Sequence, residues 1–116
     1  MSDKPLFWLG SSRSDVRAFP TDVRCVAGLQ LRRVQRGLEP NDWKPMPDVG
    51  PGVQEIRIHT GVEHRIFYVA KFSEGIYLLH AFEKRTRKTP ERDVRLGRDR
   101  FRALLMRRQP ADATTE

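Results

Sequence analysis

Between Leu38 and Gly52 the chain carries Pro40, Pro45, Pro47, Gly50 and Pro51, a composition that sustains neither a helix nor a central strand. The stretch is expected to be a long loop, and it divides the chain into two halves with different periodicities. Ahead of it, Lys4–Leu9 (KPLFWL) reads as a first strand closed by Gly10-Ser11-Ser12. Ser14–Phe19 fits one or two helical turns that stop before Pro20, because the residue before a proline disfavours the α region. In Thr21–Arg36 the apolar residues Val23, Val26, Ala27, Leu31 and Val34 recur at three- and four-residue spacing, which predicts a longer helix with Gly37 as its stop.

Behind the break, Val53–His59, Arg65–Phe72 and Ile76–Phe82 are rich in β-branched and aromatic residues, with turns at Gly61 and Gly75. They predict an antiparallel meander. Thr89-Pro90-Glu91 then starts a helix, with Thr89 as its cap and Pro90 at the first helical position. Val94, Gly97, Phe101, Leu104 and Leu105 form the stripe through which that helix packs. The expected fold is therefore α+β, in the order strand-helix-helix-strand-strand-strand-helix around an antiparallel sheet. Residues 1–108 are expected to form one domain, followed by a small, polar, disordered tail at 109–116.

Charge is distributed unevenly over this frame. The net charge is +7, and the whole surplus lies in residues 83–108, where eleven Lys and Arg face only Glu83, Glu91, Asp93 and Asp99. A surplus gathered in one strand end and the following helix suits a polyanion-binding face; the alternative is a solvated helix surface. No apolar run approaches the roughly 18 residues of a membrane helix, and the N-terminus lacks a signal-peptide pattern, so a cytoplasmic chain with no membrane contact is expected. The single cysteine, Cys25, can form no internal disulfide and is expected to be a small core residue.

Alternation along a strand puts Glu55, Arg57 and His59 on one face, with Ile56 and Ile58 turned to the core. Cutting RNA without a metal needs a base for the 2′-hydroxyl, cations for the charged phosphorane and an acid for the departing 5′-oxygen. Glu, Arg and His could fill those roles; equally, Glu55 and Arg57 could be a surface ion pair with His59 merely exposed. Arg65 opens the next strand near His59, with Tyr68 three residues along. Glu83-Lys84-Arg85-Thr86-Arg87-Lys88 is a dense basic run where sheet gives way to helix, and crowding by cations could make Lys84 a base. His59, His64 and His80 lack metal-ligand spacing, so no metal or cofactor is expected, and His80, inside an apolar strand, reads as structural.

Several segments together resemble the RelE/HigB-like toxins of bacterial type II toxin-antitoxin systems, in particular their phage-derived-protein branch within the RelE/ParE superfamily. They are Phe19-Pro20-x-Asp22-Val23-Arg24, Asp42-Trp43-Lys44-Pro45, Glu55-Ile56-Arg57-Ile58, Arg65-Ile66-Phe67-Tyr68 and the run from Leu79 to Pro90. The resemblance implies a RelE-like small ribonuclease fold and an mRNA endoribonuclease (mRNA interferase) that acts on the ribosome, without a metal, and inhibits translation. Its implied partners are mRNA and a helix-turn-helix, HigA-like antitoxin encoded by an adjacent gene. It places Arg57, Arg65 and Arg85 around the scissile phosphate, with Lys84, Glu55 and His59 as candidates for the base. Arg87, Lys88, Lys71 and Tyr68 are the expected RNA contacts. Glu55 stands where such toxins carry a basic residue, and no match for their C-terminal Tyr is found. Two alternatives stay open: a ParE-like gyrase-targeting toxin, and a nuclease-inactive nucleic-acid-binding or phage accessory module.

Overall fold

The computed structural model describes residues 3–113, with side chains described through Arg108. Its elements are β1 (Leu6–Trp8), α1 (Ser12–Arg17), α2 (Thr21–Gln35), β2 (Trp43–Pro45), β3 (Val53–Thr60), β4 (Val62–Val69), β5 (Ile76–Lys84) and α3 (Glu91–Ala113). The strands form one sheet in the order β1-β5-β4-β3-β2. The class is α+β, but the sheet is mixed rather than antiparallel, because β1 runs parallel to β5.

The fifth strand, β2, lies inside the stretch expected to be a loop. It pairs Trp43 with Ile56, Lys44 with Glu55 and Pro45 with Gln54. Backbone bonds from Arg57 N–H to Asp42 and from Met46 N–H to Val53 flank it, so Pro45 falls at a position whose nitrogen faces the open edge. A proline there removes no ladder bond, which is why an edge strand survives in a proline-rich segment. β4 begins earlier than expected, because Gly61, at φ 90°, turns the chain within one residue and lets Val62, Glu63 and His64 join the ladder.

Helix α2 buries Val23, Ala27, Leu31 and Val34 of the stripe read from sequence, and Val26 packs beside them only partly buried. Gly37, at φ 83°, closes it: its N–H donates to Val34 and that of Leu38 donates to Arg33, the paired bonds of a Schellman motif. Cys25 is exposed rather than in the core. Two residues beyond Val23 is about 200° around a helix, so Cys25 faces away from the buried stripe. Pro90 stands just before α3, its carbonyl accepting the first helical bond from Val94. Instead of giving way to a tail at Gln109, α3 continues through Ala113; residues 114–116 of the expected tail lie outside the described residues.

The sheet has a helical layer on each side. Ile56, Ile58, Ile66, Tyr68, Leu78 and Ala81 pack against α1 and α2. Val53, Phe67, Val69, Leu79 and Phe82 pack against Val94, Phe101 and Leu104 of α3. Gly97 permits close approach, since a Cβ there would lie 2.9 Å from the Phe67 ring. A register shift at Phe67/Tyr68 leaves β5 with one extra residue. That bulge resets the alternation along β5, so that Leu79 and then His80, Phe82 and Lys84 all reach the α3 side. His80 is structural here: its Nε2 pairs with Asp93 Oδ1 of α3 at 2.7 Å, and its ring stacks on Phe82 at 5.0 Å.

Candidate nucleic-acid interface

On the α3 side, beyond the apolar patch, four strands deliver charge to one place. Register sets Lys44 of β2 opposite Glu55 of β3, and Arg57 opposite Arg65 of β4. Lys84 enters from β5 opposite Glu63. Glu55 is the centre of the group and only 1% exposed. Its Oε1 lies 3.7 Å from Arg65 Nε, which makes Arg65, not Arg57, its nearest ion-pair partner. Neither Glu55 oxygen accepts a hydrogen bond, and Nε of Arg57 and of Arg65 donates none, among the described residues.

Burial and charge act against each other in this group. Burial pushes the Glu55 carboxyl above the usual carboxylate range, and the attraction of Arg65, Lys44, Arg57 and Lys84 does not fully offset it. Burial likewise pushes the Lys84 ammonium down; Arg65, Lys44 and Arg57 add to that, while Glu55 opposes it. Lys84 Nζ donates to the Arg87 carbonyl at 2.7 Å, which ties the strand end to the basic loop.

Lys84 and Lys44 also line a cleft of about 510 Å³ between the β2 segment, the β5–α3 loop and the first turns of α3. Arg87, Lys88 and Arg98 are its other cations, against Asp48 and Glu91. Arg98 is anchored by a bond from its Nε to the Asp48 carbonyl at 3.0 Å. Such a cleft suits a phosphodiester backbone: its walls carry guanidinium and ammonium donors, and its floor holds an ammonium that loses its proton more readily than usual.

Of the residues singled out in the sequence, Glu55, Arg57, Arg65 and Lys84 come together, and Arg87 and Lys88 line the adjoining cleft. His59 is held elsewhere. Its Nδ1 lies 2.6 Å from Glu63 Oε1, and its Nε2 pairs with Asp42 Oδ2. Both carboxylates favour the imidazolium and raise its pKa, the Glu63 bond most, while the same bond lowers that of Glu63. Glu63 also accepts from Arg65 Nη1 at 2.8 Å, so His59 works as a clamp across the β2–β3–β4 edge. Arg85 is not brought to the cluster: its side chain is 76% exposed and its Nε pairs with Glu83. It follows Lys84 by one position and so leaves the strand on the other side. Tyr68 lies in the α1/α2 core, its hydroxyl donating to Gln54 Oε1 at 2.6 Å, with burial pushing its pKa up. Lys71 donates to the Pro51 carbonyl at 2.9 Å and lies over the Phe72 ring, away from the cleft.

Lys44 and Arg98 were not among the expected site residues. Arg98 was within reach of sequence reasoning, because Glu91, Val94 and Arg98 fall at helical spacing on one face. Lys44 was not, since only pairing of β2 onto β3 brings it opposite Glu55.

Residues 14–102 match the family described as phage derived protein Gp49-like (DUF891). The chain belongs to that family. No curated protein matches it. In this Gp49-like chain the match spans α1 through the middle of α3, and so contains every residue of the cluster and the cleft. Among the described residues there is no group of three or more His, Cys, Asp or Glu side chains that could hold a metal ion. No helix among them is long and apolar enough to cross a membrane.

Proposed function

We propose that this Gp49-like protein is a toxin of the RelE/HigB kind, with a RelE-like fold: an endoribonuclease that cuts messenger RNA on the ribosome, held in check by a helix-turn-helix antitoxin from the adjacent gene. The observation that carries the reading is Lys84, an ammonium with a depressed pKa on the floor of a cationic cleft and beside buried Glu55. In this reading the Lys84 amine takes the proton of the 2′-hydroxyl, whose oxygen attacks the adjacent phosphorus. Arg57 and Arg65 stabilise the charge that grows on the phosphorane. The P–O5′ bond breaks, the 5′-oxygen is protonated by water in the open cleft, and a 2′,3′-cyclic phosphate and a 5′-hydroxyl result. Glu55 holds the arginines in place, while Lys44, Arg87, Lys88 and Arg98 grip the flanking phosphates.

The reading needs no metal, because four cations around one carboxylate repel a divalent ion. Mapping RNA ends in translating cells after induction tests it. New 5′-hydroxyl ends that vanish with Lys84→Met support it. Growth arrest with intact messenger would favour a gyrase-directed toxin, and neither arrest nor cleavage would favour a nucleic-acid-binding accessory module. Cleavage that purified ribosomes support only with added catalytic metal, beyond the magnesium they need to stay assembled, would remove Lys84 from the role of base.

A further inference from the structure

At the opposite edge of the sheet from the cleft, β1 is three residues long and has a neighbour on one side only. Ile76 N–H bonds to Pro5 and Leu9 N–H bonds to Leu78, so Pro5, Phe7 and Leu9 are the residues turned to β5. In a parallel ladder alternate residues bond the neighbour, which turns the backbone groups of Leu6 and Trp8 outward. An unpaired edge of this kind is a template for an added strand.

That edge opens into a groove of about 720 Å³ bordered by Phe7, Tyr77 and Leu104, with Arg13 and Arg107 on its rim. Phe7 is 38% exposed, a large aromatic left uncovered beside Tyr77 at 5.1 Å. A second hollow adjoins it at Gly10 and Arg13 and adds Arg17. The side chains of Arg13, Arg17 and Arg107 have no ion-pair partner among the described residues. The edge therefore offers outward backbone donors and acceptors, an apolar seat and a cationic rim in one place.

We infer that the β1 edge is a docking site for an extended acidic segment of a partner protein, which adds as a strand beside β1. Its apolar side chains would fill the groove at Phe7 and Tyr77, and its carboxylates would meet Arg13, Arg17 and Arg107. Charge favours this occupant over a second copy of the chain, which carries +7. The open peptide edge favours a polypeptide over RNA, which cannot extend a ladder. Four strand spacings, about 19 Å, separate this edge from β2. The inference is independent of the nuclease reading, since a partner could sit here with the cleft open.

The test uses the full chain and a labelled synthetic peptide of alternating valine and glutamate. Binding is followed by fluorescence anisotropy beside two versions of the peptide, N-methylated on one or the other alternate set of amides. The expected result is saturable binding that survives methylation of one set and is lost with the other, because shifting register by one would turn the glutamates into the groove. Arg13→Glu combined with Arg107→Glu should weaken binding roughly tenfold or more. Phe7→Ser should weaken it as well, with melting curves reporting that each variant is folded, while Lys44→Ala in the cleft leaves it unchanged. Equal binding of both methylated peptides, indifference to the arginine reversals, or loss of binding with Lys44→Ala overturns the inference. So does an RNA oligonucleotide that displaces the peptide from a Lys44→Ala chain, or sedimentation showing a dimer that closes the β1 edge.

Discussion

The two faces of the sheet are built from the same strands and do opposite things. Against α1 and α2, Ile56, Ile58, Ile66 and Tyr68 are wholly buried in an apolar core that two helices cover. Against α3 the cover is partial: a single helix packs on Phe67, Val69, Leu79 and Phe82, and beyond it β3 and β2 carry Glu55, Arg57 and Lys44. One helix about 10 Å wide covers roughly two strands of a sheet spaced at about 4.8 Å. The charge sits where the helix does not reach, on β2 and β3 and at the adjoining ends of β4 and β5. On this second face burial does two jobs side by side: under α3 it excludes water from hydrocarbon, and beyond the helix it holds charges in place.

Substitutions on the closed face should therefore cost stability. Ile58→Ala is expected to cost about 2–5 kcal/mol, a large share of the roughly 5–15 kcal/mol that holds a domain of this size, as read by urea unfolding. A loss of under about 1 kcal/mol would mean that the first face is not the closed core described.

Substitutions on the open face should cost activity and spare the fold. Lys84→Met is expected to slow single-turnover cleavage on saturating ribosomes by roughly a hundredfold or more, with an unchanged melting temperature. Arg85→Ala, one residue further but turned to Glu83, should instead weaken binding by a modest, salt-dependent factor. If Arg85→Ala matched Lys84→Met in the chemical step, alternation along β5 would not separate the roles of the two side chains.

Glu55 sharpens the contrast from the other direction. Folding raises its pKa, so the group favours the folded state most when protonated, below its ordinary value of 4.5, and that advantage is lost as pH rises through the raised value. At neutral pH the buried carboxylate is thus a net cost. The melting difference between wild type and Glu55→Gln should therefore move against the wild type as pH rises from about 4 towards neutral, while the variant slows cleavage through misplaced arginines. A difference that moved the other way would show that the surrounding cations favour the charge more than burial penalises it.

The smallest effect belongs to the His59 clamp. Its raised pKa gives stability that is full below its ordinary 6.5 and fades as pH climbs through the folded value. Glu63, lowered, contributes above 4.5 and loses its share as pH falls through its depressed value. The melting difference between wild type and His59→Asn should be greatest between those two limits and vanish in alkaline solution. A difference that is flat with pH would mean that packing, not charge, joins His59 to Asp42 and Glu63.

Much of this arrangement was legible in the residues themselves. The stripe of α2 and its Gly37 stop, the three long strands, the start of α3 and the shared face of Glu55 and Arg57 all follow from local periodicity. Local conformational preference acts over a few residues, and these features depend on nothing more distant. What depends on pairing between remote segments was decided by tertiary structure alone. β2 exists because Lys44 and its neighbours meet β3, not because the proline-rich stretch favours a strand. β1 lies parallel at the far edge because its crossover runs through α1, α2 and three strands before β5 arrives. The bulge in β5 decided that Lys84, and not Arg85, faces Glu55, since one extra residue reverses which side of the sheet every later side chain takes.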